Sequence, residues 1–492
     1  MNQIGIDLRR ILSTIDSNIF GGFAEHLGRC IYGGIYQPQT PQADRQGFRK
    51  DVLQALKLLQ LSNIRYPGGN FASGYRWMDG IGPLEKRPAR LDLAWQTLEP
   101  NHFGTNEFIR FCRQLKAEPY LVVNCGDGTL REARDWVEYC NGSGNSDLVN
   151  LRRKHGFTAP HQVKYWGIGN EVDGYWQIGT KTPEEYARTF TEFGKVMKWV
   201  DPRIKLVASA VSDWNEPFAD RIRHILEQGG HLVDYLALHW YAGNPQNDFA
   251  AYMAVSETIE KRLTACEGLI QGYAMQRKLE KLPAIAVDEW NVWYRTHPQY
   301  GGNPEKDHLE EKYNLEDALV TAIHLNAFIR HAKNVKMANL AQIVNVIAPV
   351  FTRPDSLFLQ TIFFPFEIFS STCGTQALDI WWEGDTFSAG GFKGIRTLDV
   401  SGTLNPAARK LVLYVVNRSS QKEMETRIKL DEGLFRGPAQ VYTVNGPDIK
   451  SGNSFEKPDL VVSKETRLNL DGTSFTYSFE PHSFTALVCT LN

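Results

Sequence analysis

Long apolar runs are missing from this chain of 492 residues. None approaches the ~20 residues that a bilayer-spanning helix needs, so a helical membrane protein is excluded. Charge of one sign is missing as well: 54 Lys and Arg stand against 56 Asp and Glu, a formal net charge of −2. No global field draws such a chain to nucleic acid or to an anionic membrane surface. Cysteine is scarce, with seven residues (Cys30, Cys112, Cys125, Cys140, Cys266, Cys373 and Cys489) and no C-x-x-C pair. An odd, scattered set argues against a disulfide framework and against a Cys-based zinc site. There is no H-E-x-x-H pair, no phosphate-cradling glycine loop and no G-x-S-x-G elbow, and the chemistries those motifs serve lose their usual support. The start, MNQIGIDLRR, carries Asp7, Arg9 and Arg10 where a secretion signal needs an apolar core, so the expected location is the cytoplasm.

What remains is a globular composition, 42% hydrophobic with 41 Gly and 23 Pro, in which aromatics reach 12%. Near-neutral charge favours a neutral substrate, and Trp and Tyr faces suit sugar rings. Between about residues 18 and 350, short apolar runs alternate with amphipathic stretches. Candidate strands fall at 19–25, 63–67, 120–124, 164–170, 206–211, 235–241, 284–289 and 340–346. Helix starts lie between them: Thr182-Pro183-Glu184-Glu185 reads as a capping box with Pro at the first helical position, and Asn314 with Asp317 as another N-terminus. Val52, Leu56 and Leu59, and Phe108, Phe111 and Leu115, give two further helices their buried stripes. Eight βα units predict an α/β fold, a (β/α)8 TIM barrel, in preference to an open doubly wound sheet. After Gly374 the texture changes to short β-rich segments such as LVLYVVN, AQVYTVNG and FTALVCTL, separated by turn residues, which predicts a C-terminal all-β, jelly-roll-like sandwich. The expected domains are a barrel over 18–374 and a sandwich over 375–492, with 1–17 joining the sandwich.

Active sites of such barrels are built at the C-terminal strand ends. The fourth candidate strand finishes Trp166-Gly167-Ile168-Gly169-Asn170-Glu171, and the seventh Ala286-Val287-Asp288-Glu289-Trp290-Asn291. Two carboxylates across a barrel mouth can serve as acid/base and nucleophile of a retaining glycosidase when they lie ~5–5.5 Å apart.

These segments, together with Phe23-Ala24-Glu25-His26-Leu27-Gly28-Arg29, Arg65-Tyr66-Pro67-Gly68-Gly69-Asn70-Phe71, Leu238-His239-Trp240-Tyr241 and Asn339-Leu340-Ala341-Gln342-Ile343-Val344-Asn345, resemble the family 51 α-L-arabinofuranosidases of the bacterial intracellular type. The resemblance implies Glu171 as acid/base and Glu289 as nucleophile. It implies sugar contacts from Glu25, Asn70, Asn170, Tyr241 and Gln342, and places His239 and Trp290 in the same matched motifs. Arg65 is the expected donor that keeps Glu289 ionised, while burial and the Glu289 charge are expected to keep Glu171 protonated. Trp95 and Trp293 resemble the aromatics that bracket the leaving-group sugar. The implied partners are arabinofuranosyl-containing oligosaccharides and further copies of the chain, six by resemblance, with no nucleic acid and no membrane. Hydrolysis by two carboxylates calls for no metal and no organic cofactor. A β-xylosidase or endo-β-glucanase on the same scaffold, and a sugar-binding barrel without catalysis, remain open at this stage.

Overall fold

A parallel strand inside a barrel is buried on both faces, so it needs apolar residues at consecutive positions. In the computed structural model, which describes residues 2–303 and 308–492, eight such strands close on themselves in sequence order. They are Gly21–Phe23, Asn63–Tyr66, Glu118–Val123, Tyr165–Ile168, Lys205–Val211, Tyr235–Ala242, Ala284–Val292 and Val335–Ala341, the last pairing with the first. Alternate positions sort into two layers: Tyr120, Val122, Tyr165, Val207, Ala237, Ala286 and Met337 fill the barrel interior. Their neighbours Leu121, Trp166, Leu236, Val287 and Ala338 face the surrounding helices.

The helix signals resolve as the residue types predict. Thr182 accepts from the Glu185 amide and Glu185 from the Thr182 amide, opening Pro183–Val200, which buries Tyr186, Phe190, Phe193 and Met197. Asn314 and Asp317 open Leu315–Arg330 the same way. The eighth strand lies at Val335–Ala341, five residues before its expected start. Lys336 and Asn339 interrupt the apolar pattern that marks a strand, because Lys336 bonds the Thr14 carbonyl and Asn339 the Gly22 carbonyl and Asn63. The apolar run Ile343-Val344 is instead a buried loop whose first amide donates to Phe23.

The C-terminal region forms two large sheets and a hairpin, Thr386–Ala389 with Phe392–Arg396. Seven strands run in the order Ile11–Thr14, Gln376–Leu378, Leu398–Asn405, Lys410–Asn417, Ser483–Thr490, Phe435–Asn445 and Val462–Gly472. Four run in the order Trp381–Glu383, Asn2–Ile6, Met424–Leu430 and Ser474–Phe479. The first fourteen residues thus contribute a strand to each sheet. Lys410–Asn417 shows why its sequence lacks alternation: Leu411, Leu413 and Val415 face the small sheet, while Val412, Tyr414 and Val416 face the barrel. Phe369, from the helix Phe363–Thr372, stacks on Tyr414 at 4.0 Å and on Phe484 at 5.2 Å, tying the two regions together.

Candidate active site

The fourth strand ends at Ile168, and the chain then turns through Gly169 (φ 79°) and Glu171 itself (φ 42°). A left-handed Glu is uncommon. The turn lets two consecutive side chains, Asn170 and Glu171, reach one site. On the seventh strand a bulge does the same work: register shifts between Val287 and Trp290, so Asp288 and Glu289 both meet Arg65. An oxygen of Glu171 and an oxygen of Glu289 lie within 4.8 Å of each other, with a His239 nitrogen between them.

The two carboxylates are dressed differently. Glu289 Oε1 accepts from Arg65 Nη1 at 2.6 Å and Oε2 from the Tyr241 hydroxyl at 2.8 Å. Glu171 Oε1 faces His239 Nδ1 at 3.1 Å, and Oε2 accepts from Trp176 Nε1 at 2.6 Å. Burial, with the Glu289 charge, pushes the Glu171 carboxyl above its ordinary value against the opposing pull of His239. Arg65 is fully buried over the Phe23 ring and also donates from Nη2 to Asn170 at 2.6 Å. Burial alone would raise Asp288, but Arg65 and His239 hold it below the usual carboxylate range. His239 Nε2 faces Asp288 Oδ1 at 3.1 Å. His239 Nε2 therefore donates its proton to the Asp288 carboxylate, and a second proton lies between His239 Nδ1 and Glu171.

Beside this pair, Glu25 Oε1 accepts from the Phe71 amide and from Trp95 Nε1, and Oε2 from Gln342 Nε2 at 2.9 Å. Burial and the Glu289 charge push the Glu25 carboxyl up to about 8. Gly69 is required here, since a Cβ on it would stand 2.7 Å from Glu25 Oε2. Asn70 follows at the start of the short helix Asn70–Gly74, its carbonyl accepting from Gln177. Trp293 packs edge-on against Tyr241 at 5.3 Å, half-buried at the mouth.

Arg65, Asn70, Asn170, Glu171, His239, Tyr241, Glu289 and Trp293 are thus linked through direct contacts or a single intervening side chain, and Glu25, Trp95 and Gln342 form a second bonded group on which the Glu289 charge acts. Trp290 is not among them, which corrects the expectation. It is 0% exposed and packs against His324 at 5.1 Å and Phe328 at 5.2 Å, in the helix layer. Unbroken alternation from Ala286 and Asp288 would turn Trp290 inward; the bulge that brings Glu289 in turns Trp290 out. Sequence reading missed Asp288, Tyr120 and Trp176. Tyr120 donates to Asp288 at 2.7 Å, and Gly167 leaves it room. The signal for Asp288 was two adjacent acids in an apolar run; Trp176 had none, lying in a loop after Glu171.

Glu171, His239 and Glu289 bring one potential ligand atom each within 4.8 Å of one another, a spacing open to a cation. Within the protein both nitrogens of the imidazole already have partners, Glu171 at Nδ1 and Asp288 at Nε2, each at 3.1 Å. Burial would lower its pKa, but the Glu289 and Asp288 charges hold it well above the ordinary range.

A closed parallel barrel with two glutamates converging at its C-terminal mouth defines the class, a barrel glycoside hydrolase. Residues 55–258 match the family description "Alpha-L-arabinofuranosidase 1 domain" and residues 288–483 "Alpha-L-arabinofuranosidase C-terminal domain". An intracellular exo-α-(1→5)-L-arabinofuranosidase of Bacillus subtilis is 38% identical over 98% of this chain and 97% of its own. The arabinose complex of an α-L-arabinofuranosidase from Thermotoga maritima superposes with a TM-score of 0.91 at 37% identity, covering all of both chains. A family 51 α-L-arabinofuranosidase from Bifidobacterium longum does so with 0.93 at 31%, again over both whole chains. The chain belongs to the family 51 α-L-arabinofuranosidases.

Proposed function

We propose that the protein releases terminal α-L-arabinofuranose from arabino-oligosaccharides, arabinan or arabinoxylan fragments by double displacement, with Glu171 as acid/base and Glu289 as nucleophile. The observation that carries this is the contrast at one short separation: two carboxylates with oxygens within 4.8 Å, one pushed toward protonation and one accepting from Arg65 and Tyr241. The spacing suits the ~5–5.5 Å of retaining enzymes and leaves no room for the water that an inverting pair, ~6.5–9.5 Å apart, holds between them.

In the first step Glu289 attacks the anomeric carbon, the glycosidic bond breaks, and the Glu171 proton passes to the leaving oxygen. In the second, Glu171 takes a proton from water, which displaces Glu289 and returns the α configuration. Arg65 and Tyr241 orient the nucleophile, and His239, steadied by Asp288, shares the acid's proton. Glu25, Asn70, Asn170 and Gln342 meet the sugar hydroxyls, where an unpaired buried polar group makes recognition selective. The Trp95 indole, tied to Glu25, brackets the leaving-group sugar. Trp293 offers it a second face. Work in the cytoplasm follows the intracellular character of the Bacillus subtilis relative; among the described residues no helix is long and apolar enough to cross a membrane. Assembly as a homo-oligomer is part of the same reading, and light scattering tests it.

The test is hydrolysis of p-nitrophenyl α-L-arabinofuranoside followed by proton NMR of the first-formed sugar. α-Arabinofuranose is expected. β-Arabinofuranose, or turnover confined to β-xylosides or glucans, would overturn the reading.

A further inference from the structure

Away from the barrel mouth, the four-stranded sheet of the sandwich turns one face to solvent, and alternation decides what that face carries. Along Asn2–Ile6 the buried residues are Asn2, Ile4 and Ile6, so Gln3 and Gly5 point out. Along Met424–Leu430 the outward positions are Glu425, Arg427 and Lys429. Register places Gly5 between Trp381 on one side and Lys429 on the other, and Gln3 between Glu383 and Arg427. Trp381 is 52% exposed. Its indole lies against Gly5, where a Cβ would come within 3.1 Å of ring atom Cε3; the bare glycine is what lets the ring lie along the sheet. Gln3, Gly5, Trp381, Arg427 and Lys429, with the adjoining loops, line a depression of about 550 Å³, within the ~300–1,000 Å³ typical of small-molecule sites.

Charge and unused hydrogen-bonding capacity say what fits there. Arg10, Arg427 and Lys429 are matched by Asp7, Asp379 and Asp431 around the same depression, so a polyanion gains no net attraction. Gln3, Arg427 and Lys429 make no side-chain hydrogen bond or ion pair with any described residue. A flat aromatic ring beside idle donors, with carboxylates as acceptors nearby, matches a sugar, whose C–H face stacks while its hydroxyls bond. An apolar partner would instead bury these charges unpaired.

We propose that this face is a second, non-catalytic site for a neutral oligosaccharide, with Trp381 as the stacking platform and Gln3, Arg427 and Lys429 as hydroxyl partners. Its role, holding a substrate fragment while the barrel trims it, rests on the proposed activity, as does the choice of arabinan as first probe; binding itself does not.

The test is native electrophoresis of the full chain through gels containing arabinan, arabinoxylan or neutral β-glucan, in a Glu289→Gln background so that the matrix stays intact. Retardation by at least one polymer is expected. Trp381→Ala should raise the dissociation constant read from that retardation at least fivefold, and Trp381→Phe less than twofold, which separates a lost platform from a damaged fold. With Glu289 restored, Trp381→Ala should leave kcat/KM on the nitrophenyl arabinofuranoside within twofold. Equal retardation of Trp381→Ala and its parent in every gel would overturn the proposal, as would a change in assembled mass by light scattering, which would make the face a subunit contact. Trp381-dependent retardation by a chain that hydrolyses no arabinofuranoside would uphold this site and sink the proposed activity instead.

Discussion

Glu171 and Glu289 are the same residue type at neighbouring points of one barrel mouth, and what separates them is the company each keeps. Glu289 stands at the end of a strand, both oxygens accepting from Arg65 and Tyr241, beside the ionised Asp288. Glu171 stands one turn beyond a strand, on a left-handed residue, sharing a proton with His239 and touched by the partly exposed Trp176. A site can therefore hold an acid and a nucleophile within 4.8 Å because fixed cations and donors are spent on one carboxylate and burial acts on the other.

The contrast can be broken most severely at Glu289. Glu289→Ala should lower kcat on the nitrophenyl arabinofuranoside by roughly 10⁴-fold or more, since no other group can form the covalent intermediate. Glu171→Ala should cost about 10²–10⁴-fold in kcat/KM on natural oligosaccharides and much less in kcat/KM on a nitrophenyl substrate, whose leaving group needs no proton, while kcat falls on both because the attacking water loses its base. His239→Gln sharpens the comparison. His239 lowers the Glu171 pKa through its hydrogen bond and charge, so its removal should move the basic limb of kcat/KM to higher pH, with a rate loss of about 10–100-fold. A basic limb that moved down or stayed still would contradict the shared proton. Tyr241→Phe removes one donor from the nucleophile and should cost about tenfold. The smallest effect is expected at Trp290: Trp290→Phe should leave kcat/KM within threefold while lowering unfolding stability by about 1–2 kcal/mol, measured by denaturant titration.

Much of this was legible from residue types. Periodicity marked the barrel strands because they are buried on both faces, and capping residues marked the helix starts at Thr182 and Asn314. The eighth strand shifted because Lys336 and Asn339 are polar for local reasons, bonding Thr14 and Asn63. Trp290 was misjudged because a bulge reverses which face each later side chain takes, and no composition signal announces it. The proton shared by His239 and Glu171 joins residues 68 apart in sequence; only closure of the barrel brings them within reach.

The division of labour between the two glutamates is tested most directly by azide. Glu171→Ala and Glu289→Ala would each be incubated with an activated α-L-arabinofuranoside and sodium azide, and the products assigned by NMR. Azide replacing water in the acid/base variant attacks the covalent intermediate, so Glu171→Ala should yield the α-arabinofuranosyl azide by two inversions. Azide replacing the nucleophile displaces the leaving group once, so Glu289→Ala should yield the β-azide. The reverse pairing, or one configuration from both variants, would contradict the assignment of acid/base to Glu171 and nucleophile to Glu289.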